Sequence, residues 1–328
     1  MTINEFPLKA APLPEYLDKI FVCPSCRGHL IAEGSDFSCA DKNCGKQYRT
    51  VGHIPVLTDE AASAISFDSE GASLNKSHWK SLALRYLPSL DKNVVPTEVK
   101  AHLIREILAL NEQPIVLNIG GKHPTSLTDQ ICELENVNAI ECDLAYRART
   151  GVFANPERIP LRDGSVDCVL LDALLEHVPN PQEVVNEAWR VLKPNGIIFS
   201  DTPFMVQVHG GAFDYMRFSH QAHRWLFRNF DELGSGVSSG PGVALAYAIQ
   251  YFFLSFAAGQ RSRYVIKTSC RLTLFWLKYF DRFLSTKPSA LDAAHGLYFF
   301  GRRADTAITE RELVERYDGS VPPLYPPA

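Results

Sequence analysis

With 328 residues, 46% hydrophobic and 21% charged, the chain has the make-up of an ordinary globular protein, with room for two or three units at roughly 100–200 residues per domain. A net charge of −4 gives no global pull toward nucleic acid, which leaves only a local basic patch for such a role and makes a nucleic-acid partner unexpected. The first twenty residues lack the basic start and apolar core of a signal peptide, so the expected compartment is a reducing cytoplasm.

Residues 1–60 are expected to form a small first module, a Pro-containing lead-in followed by a turn-rich, cysteine-bearing segment. Cys23-Pro-Ser-Cys26 and Cys39-Ala-Asp-Lys-Asn-Cys44 are separated by twelve residues. They bring two pairs of thiolates onto short loops, as a tetrahedral zinc ion requires. Two disulfides are the alternative, disfavoured without a secretion signal. With Cys23, Cys26, Cys39 and Cys44 filling all four positions, such a zinc would be structural, and it would supply much of the folding free energy of so small a module. Tyr48 and His53-Ile54-Pro55-Val56-Leu57 are expected to pack against a neighbour. Cys132, Cys142, Cys168 and Cys270 lie in apolar contexts and read as buried thiols.

Residues 61–112 read as a linker over 61–80, then helical patterns around Leu82–Leu87 and Glu98–Leu110. An α/β core is expected over 113–240. Pro114–Gly121 reads as a first strand, Ser126–Leu134 as a helix, Val137–Asp143 as a second strand and Gly151–Ala154 as a short third. Val166–Leu171 is short and β-branched, a strand buried on both faces. Pro181 opens a helix whose Val184, Val185, Ala188, Trp189 and Leu192 form one apolar stripe, and Lys193-Pro-Asn-Gly supplies a stop. Gly196–Asp201 is the fifth strand. After a helix near Gln221–Phe230, the Gly/Ser-rich 234–242 is expected to break the pattern, and His295–Arg303 reads as a last strand, within a segment 295–328 that ends in a tail. Parallel strands joined by helices bind ligands at their carboxyl ends. There the first strand offers Asn118, Gly120 and Gly121, with glycines that let backbone N–H groups approach a ligand closely. Asp143 follows Gly120 by 23 residues, the separation that sets a carboxylate on ribose hydroxyls in dinucleotide folds. Asn155, after the third strand, is placed to meet an adenine edge. A tight αβ turn with a solvated Asp143 is the alternative.

These residues resemble a class I S-adenosylmethionine-dependent methyltransferase over roughly 113–235. The resemblance rests on Asn118, Gly120, Gly121, Asp143, the stretch Pro160-Leu-Arg-Asp-Gly-Ser-Val-Asp167, Leu175-Glu176-His177-Val178, and Val191-Leu-Lys-Pro-Asn-Gly196. The cysteine module with Gly52-His53-Ile54-Pro55-Val56-Leu57 is similar to the zinc ribbon found beside some bacterial methyltransferases and as a partner subunit of tRNA and protein methyltransferases. The resemblance implies a Rossmann-like seven-stranded sheet and S-adenosyl-L-methionine as cofactor, bound by Asn118, Gly120, Gly121, Lys122, Asp143, Asn155 and Asp172. The chain departs from the family in having Asn118 for an acidic residue and Lys122 for a glycine. Asn118 can still accept a hydrogen bond, and Lys122 can pair with the methionine carboxylate.

The polar-aromatic loop after the fifth strand, Pro203–Phe218, is where a methyl acceptor would meet the cofactor, and its His-x-x-x-x-Asp-Tyr-x-Arg-Phe segment resembles one in a subset of these enzymes. Positioning does most of the work in methyl transfer, and a hydroxyl acceptor also needs its proton removed. His209 is the candidate base. Asp214 is a second candidate, with an ion pair to Arg217 as its structural alternative, and His177 is a pocket-lining candidate. The segment 241–294 is expected to be a helical insertion before the last strand. Gly242–Gln260 has no charge across 19 residues, about the length of a membrane span. Its Gly, Gln and Ser content argues instead for a buried or interfacial helix. Residues 261–287 carry seven Lys/Arg against one Asp281, interleaved with aromatics, which suits either a helical cap with a solvated basic face or peripheral contact with an anionic inner membrane face through 242–287. The expected function is O-methylation of a small-molecule, glycan or lipid-linked acceptor. A catalytically silent adaptor and a tRNA or protein methyltransferase are the alternatives.

Overall fold

The computed structural model describes residues 19–34, 36–51, 54–58, 87–120, 126–143 and 151–325. The expected linker over 61–80, most of the helical pattern around Leu82–Leu87, and Gly52, His53, Gly121 and Lys122 lie outside these residues. Two compact units are formed by interleaved stretches of chain: Met1–Leu74, Ile107–Leu170 and Asn180–Ile197 make one, and Asn75–Glu106, Leu171–Pro179 and Ile198–Ala328 the other.

In the first unit, β1 (Leu30–Glu33), β2 (Asp36–Cys39) and β3 (Gln47–Tyr48) form a small antiparallel sheet, and β4 (Thr50–Val51) pairs with β5 (Ile54–Pro55). Val56 bridges to Phe153 and Phe21 to Leu161. Ile54, Val56 and Phe153 form one buried cluster, so the segment after the last cysteine is anchored against the α/β part of its own unit.

The large sheet has seven strands: β6 (Ile115–Gly120), β7 (Asn138–Asp143), β8 (Val152–Phe153), β9 (Val166–Asp172), β10 (Leu192–Pro203), β11 (Phe230–Ser239) and β12 (Gly296–Arg303). Their order is β11-β12-β10-β9-β6-β7-β8. The sheet is mostly parallel, as in β6–β7 and β7–β8, and the pair β11–β12 is antiparallel. This is the Rossmann-like α/β sheet expected from the strand and helix pattern. From Val166 to Leu171, β9 is buried at every residue, because both faces of a parallel strand meet helices. The described helices are α1 (Thr97–Leu110), α2 (Leu127–Cys132), α3 (Pro181–Val191), α4 (His220–Leu226), α5 (Pro241–Leu254), α6 (Gln260–Leu274), α7 (Asp281–Leu284), α8 (Pro288–Leu291) and α9 (Glu310–Glu315).

Three expectations need correction. The Gly/Ser-rich stretch from 234 is not a break, since it lies in β11, where Gly234 pairs with Phe300 and Gly236 with Tyr298. At Gly236 the missing side chain leaves room for a ring: a Cβ there would stand 3.3 Å from Tyr298. The preceding helix is shorter than expected and ends at Leu226, because Phe230 already belongs to β11. The uncharged run 242–260 is not one helix either: α5 ends at Leu254 and α6 begins at Gln260. No helix among the described residues is long and apolar enough to cross a membrane. The helices do fall between the last two strands in sequence, and Asp281 is fixed by them rather than solvated. Its buried carboxylate accepts from Gly242 N at 2.7 Å and Val243 N at 3.1 Å, satisfying the first turn of α5.

Candidate functional site

The cysteines meet through two similar turns. Arg27 N donates to Cys23 O at 2.7 Å with Arg27 in a left-handed conformation, and Gly45 N donates to Asp41 O at 2.9 Å with Gly45 likewise left-handed. Each turn points its sulfurs inward, so that Cys23 and Cys44 Sγ are 3.7 Å apart and Cys26 and Cys39 Sγ 3.4 Å apart. All four sulfurs lie within 4.8 Å of one another. Tetrahedral ligands at about 2.3 Å from zinc stand roughly 3.8 Å apart, so the spacing suits a four-thiolate ion. Burial works against the Cys23 thiolate, yet hydrogen bonds from Tyr48 and backbone N–H groups bring its pKa down to about 7. Tyr48 Oη stands 3.1 Å from Cys23 Sγ, a polar contact to the ligand set made by a residue first expected only to pack.

In the same unit the expected cofactor residues fall at the carboxyl ends of β6, β7 and β8. Asn118 is 2% exposed, and its Oδ1 has no hydrogen-bond partner among the described residues. A buried acceptor without a donor is costly, so the position suits a ligand that brings one. Gly120 has φ 88°, a left-handed conformation that glycine adopts without strain and that lets its backbone turn under a ligand. Asp143 closes β7 opposite Phe153. Asn155 is partly committed to its own loop, since its Oδ1 accepts from Glu157 N at 2.9 Å. These donors and acceptors fit an adenosyl cofactor.

The second unit holds the other expected residues and joins them to one that sequence reasoning left out of the site. Asp172 ends β9, and the next residue, Ala173, has φ 48° while donating to Asp201 O. That left-handed alanine is a local strain of the kind found at functional sites. Burial, then the neighbouring charge of Asp172, raise the Asp201 pKa to about 8, against a 2.6 Å hydrogen bond from Ser238. A short 3-10 turn, Leu175–His177, follows. Glu176 in it is 0% exposed, and neither carboxylate oxygen has a hydrogen-bond partner among the described residues. Its Oε1 faces two imidazoles, with His177 Nε2 at 3.6 Å and His209 Nε2 at 3.7 Å. The rings stand 4.9 Å apart, edge to face.

Both rings are held by their far nitrogens. His177 Nδ1 is 2.7 Å from Phe213 O, and a carbonyl can only accept, so that Nδ1 carries the proton, whereas His209 Nδ1 stands between Gln207 O at 3.3 Å, an acceptor, and Arg217 Nη2 at 3.4 Å, a donor. In the neutral His177 ring Nε2 therefore presents a lone pair toward Glu176. Asp214 ties the loop together by accepting from His209 N at 2.7 Å and Gly210 N at 3.0 Å, while Arg217 grips it through both terminal nitrogens. Arg217, then backbone donors, hold the Asp214 carboxyl well below its ordinary range against the effect of burial. Tyr215 N donates to Glu176 O at 2.8 Å, closing the loop on the turn. A Cβ on Gly210 would lie 2.5 Å from the His177 ring, so glycine is needed there. Glu176 and Gly210 are what sequence reasoning missed, although Glu176 stood in the Leu-Glu-His-Val motif. Only the adjacency of Glu176 and His177, with His209 further on, could have signalled the cluster.

Residues 130–200 match the methyltransferase domain family. An uncharacterized methyltransferase of Mycobacterium bovis is 41% identical over 56 residues, which is 16% of this chain and 22% of that protein. A 37.1 kDa protein in transposon TN4556 of Streptomyces fradiae is 36% identical over 69 residues, 21% of this chain and 17% of that protein. The chain thus matches about a fifth of the length of these relatives. Among solved structures, a SAM-dependent methyltransferase from Archaeoglobus fulgidus is similar at 15% identity and TM-score 0.36, over 62% of this chain and 93% of that one. Phosphoethanolamine N-methyltransferase 2 of Haemonchus contortus, in complex with S-adenosyl-L-methionine, is similar at 12% identity and TM-score 0.41, over 64% and 53%. Residues 130–200 are thus similar in sequence to a methyltransferase domain, within a Rossmann-like sheet.

Proposed function

We propose that the chain transfers a methyl group from S-adenosyl-L-methionine to an oxygen of a small-molecule, glycan or lipid-linked acceptor. The observation that carries the donor half is Asn118, a buried acceptor in β6 without a donor among the described residues. Asn118 takes a hydrogen bond from the cofactor, the Gly120–Gly121 backbone and Lys122 hold its methionine end, Asp143 takes the ribose hydroxyls, and Asn155 and Asp172 hold the adenosyl moiety. When bound, the sulfonium supplies an electrophilic methyl group, and the chain's own residues position the acceptor and manage its proton. His209 Nε2 accepts that proton in the metal-free protein, His177 lines the acceptor's approach, and Asp214 fixes the loop that carries His209. The four cysteines hold a structural zinc ion. Calorimetric titration of zinc-replete protein with S-adenosylhomocysteine tests the reading. Binding supports it, and absence of binding overturns it in favour of a silent adaptor.

A lipid-linked acceptor draws support from the second unit's helices. Phe252, Phe256, Trp276, Tyr279 and Phe283 are exposed there, among Arg263, Lys267, Arg271, Lys278 and Arg282. Exposed aromatics interleaved with cations suit an anionic membrane surface. Sedimentation with anionic vesicles that weakens in high salt is the expected result, and protein that stays in the supernatant removes the idea.

A further inference from the structure

We propose that Glu176, His177 and His209 form a binding site for a divalent first-row cation such as Zn2+, Co2+ or Mn2+, with its remaining positions open to an oxygen of the acceptor. The site stands on its own geometry, and only its role toward the acceptor rests on the methyl-transfer reading.

Three observations converge. The Oε1 of Glu176 and the two Nε2 atoms lie within 4.8 Å of one another. Cis ligands at about 2.1 Å from a metal stand roughly 3–3.5 Å apart, so the 3.6 and 3.7 Å separations need to close by only a few tenths of an ångström. The carboxylate is fully buried with neither oxygen hydrogen-bonded among the described residues, an arrangement that is costly until a cation compensates it. One ring is already arranged as a metal-bound imidazole requires: His177 Nδ1 is held by Phe213 O, which leaves its Nε2 lone pair facing inward, and His209 turns its Nε2 toward the same carboxylate oxygen while its Nδ1 stays among Gln207 O and Arg217 Nη2. Both imidazole rings keep some exposure, so a ligand can reach the open positions.

Two imidazoles and one carboxylate favour Zn2+, Mn2+, Fe2+ or Co2+ over Mg2+, which prefers oxygen ligands throughout. A three-ligand set leaves room for substrate, unlike the closed cysteine set. With the cation in place, the acceptor hydroxyl binds it and releases its proton to water, not to His209. The oxygen lone pair then forms the new C–O bond as the C–S bond breaks, and that electron pair stays on sulfur, leaving S-adenosylhomocysteine.

The test uses the full-length chain carrying one equivalent of zinc, which the four thiolates take, with any excess removed before Mn2+ is added. Mn2+ is added and followed by electron paramagnetic resonance, with zinc content and thermal melting measured on the same samples. The wild type is expected to bind one equivalent of Mn2+. His177→Gln and His209→Gln should each weaken binding by about 10- to 100-fold with zinc content and melting unchanged. No Mn2+ bound by the wild type, or equal binding by His209→Gln, overturns the site. Because His209 lies on an exposed loop, that variant decides the matter if His177→Gln melts early. Titration with S-adenosylhomocysteine reads the other proposal separately: cofactor binding without Mn2+ removes the cation site alone, and Mn2+ binding without cofactor removes the methyltransferase reading alone.

Discussion

Among the described residues two clusters have ligand atoms close enough to surround a cation, and they differ in what they would leave over. In the first unit Cys23, Cys26, Cys39 and Cys44 supply four ligands of one kind from two short turns close in sequence. In the second, Glu176, His177 and His209 supply three ligands of two kinds, from a turn and a loop more than thirty residues apart. Four thiolates would exhaust a tetrahedral ion, so an ion held by the first cluster would be structural. Three mixed ligands would leave positions to fill, so an ion held by the second would stay open to a further ligand. The supporting shells differ as well. The cysteine turns are local, and the histidine loop depends on Asp214, Arg217 and Gly210.

That contrast breaks most visibly at the cysteines. Cys39→Ser should leave β1–β3 unfolded, because binding free energy on the order of 10 kcal/mol stands in for a core in such small modules. Loss of zinc by mass spectrometry together with rapid proteolysis within 19–58 is the expected result, and a protease-resistant apo module would show that packing alone holds it. Glu187→Ala comes next. This buried carboxylate (side chain 7% exposed) accepts from Arg27, Arg190 and Ile159 N, and Arg190 is itself mostly buried. Its loss leaves Arg190 with Asp163 and the Leu161 and Ile159 carbonyls but removes two charged hydrogen bonds and orphans the Ile159 N–H, and should cost about 2 kcal/mol in urea denaturation. Gly210→Ala should act on the second cluster alone: the added methyl displaces the His177 ring, lowering Mn2+ affinity about tenfold with little change in melting. Unchanged affinity would show that the His177 ring position does not matter.

What could be read from the sequence follows from how local each feature is. The cysteine spacing, the buried run of β9 and the Pro181 helix start are set by neighbouring residues, and the structure has them where expected. The strand β11 was not legible, because Gly234 and Gly236 look like loop residues until Phe300 and Tyr298 lie beside them. Nor was the end of the uncharged run 242–260, whose first turn is capped by Asp281 from some forty residues away. The site was legible in pieces. His177, His209 and Asp214 stood out by residue type, but their roles as ring, ring and loop fastener, and Glu176 between them, depend on contacts across the fold.

A histidine outside the cluster sharpens the comparison. His223 is fully buried with Nε2 3.1 Å from Ser200 Oγ and rings of Phe227 and Phe299 around it. Burial, then the nearby His220, lower its pKa to about 3. The unfolded chain takes up that proton near pH ~6.5, while the folded chain stays neutral until about 3. Stability is therefore complete above pH ~6.5 and falls as pH drops toward 3, by up to roughly 1.4 kcal/mol per unit. His223→Gln should flatten the decline between pH 6 and pH 4 in urea denaturation, and an unchanged slope would assign it to other groups, such as His220, which burial lowers to about 4.

The smallest effect expected is at Arg27, which joins the cysteine module to α3 through Glu187 at 2.7 Å. Its side chain is 55% exposed, so solvent screens the pair and Arg27→Ala should cost well under ~1 kcal/mol. Glu187 keeps Arg190 and the Ile159 N–H when Arg27 is gone, so no buried charge is stranded. The module would then be anchored by the buried contacts of Phe21, Ile54 and Val56 instead. A double-mutant cycle between Arg27→Ala and Glu187→Ala separates these possibilities. A coupling energy above ~1 kcal/mol would make the ion pair the anchor, and a smaller one leaves the anchoring to apolar packing.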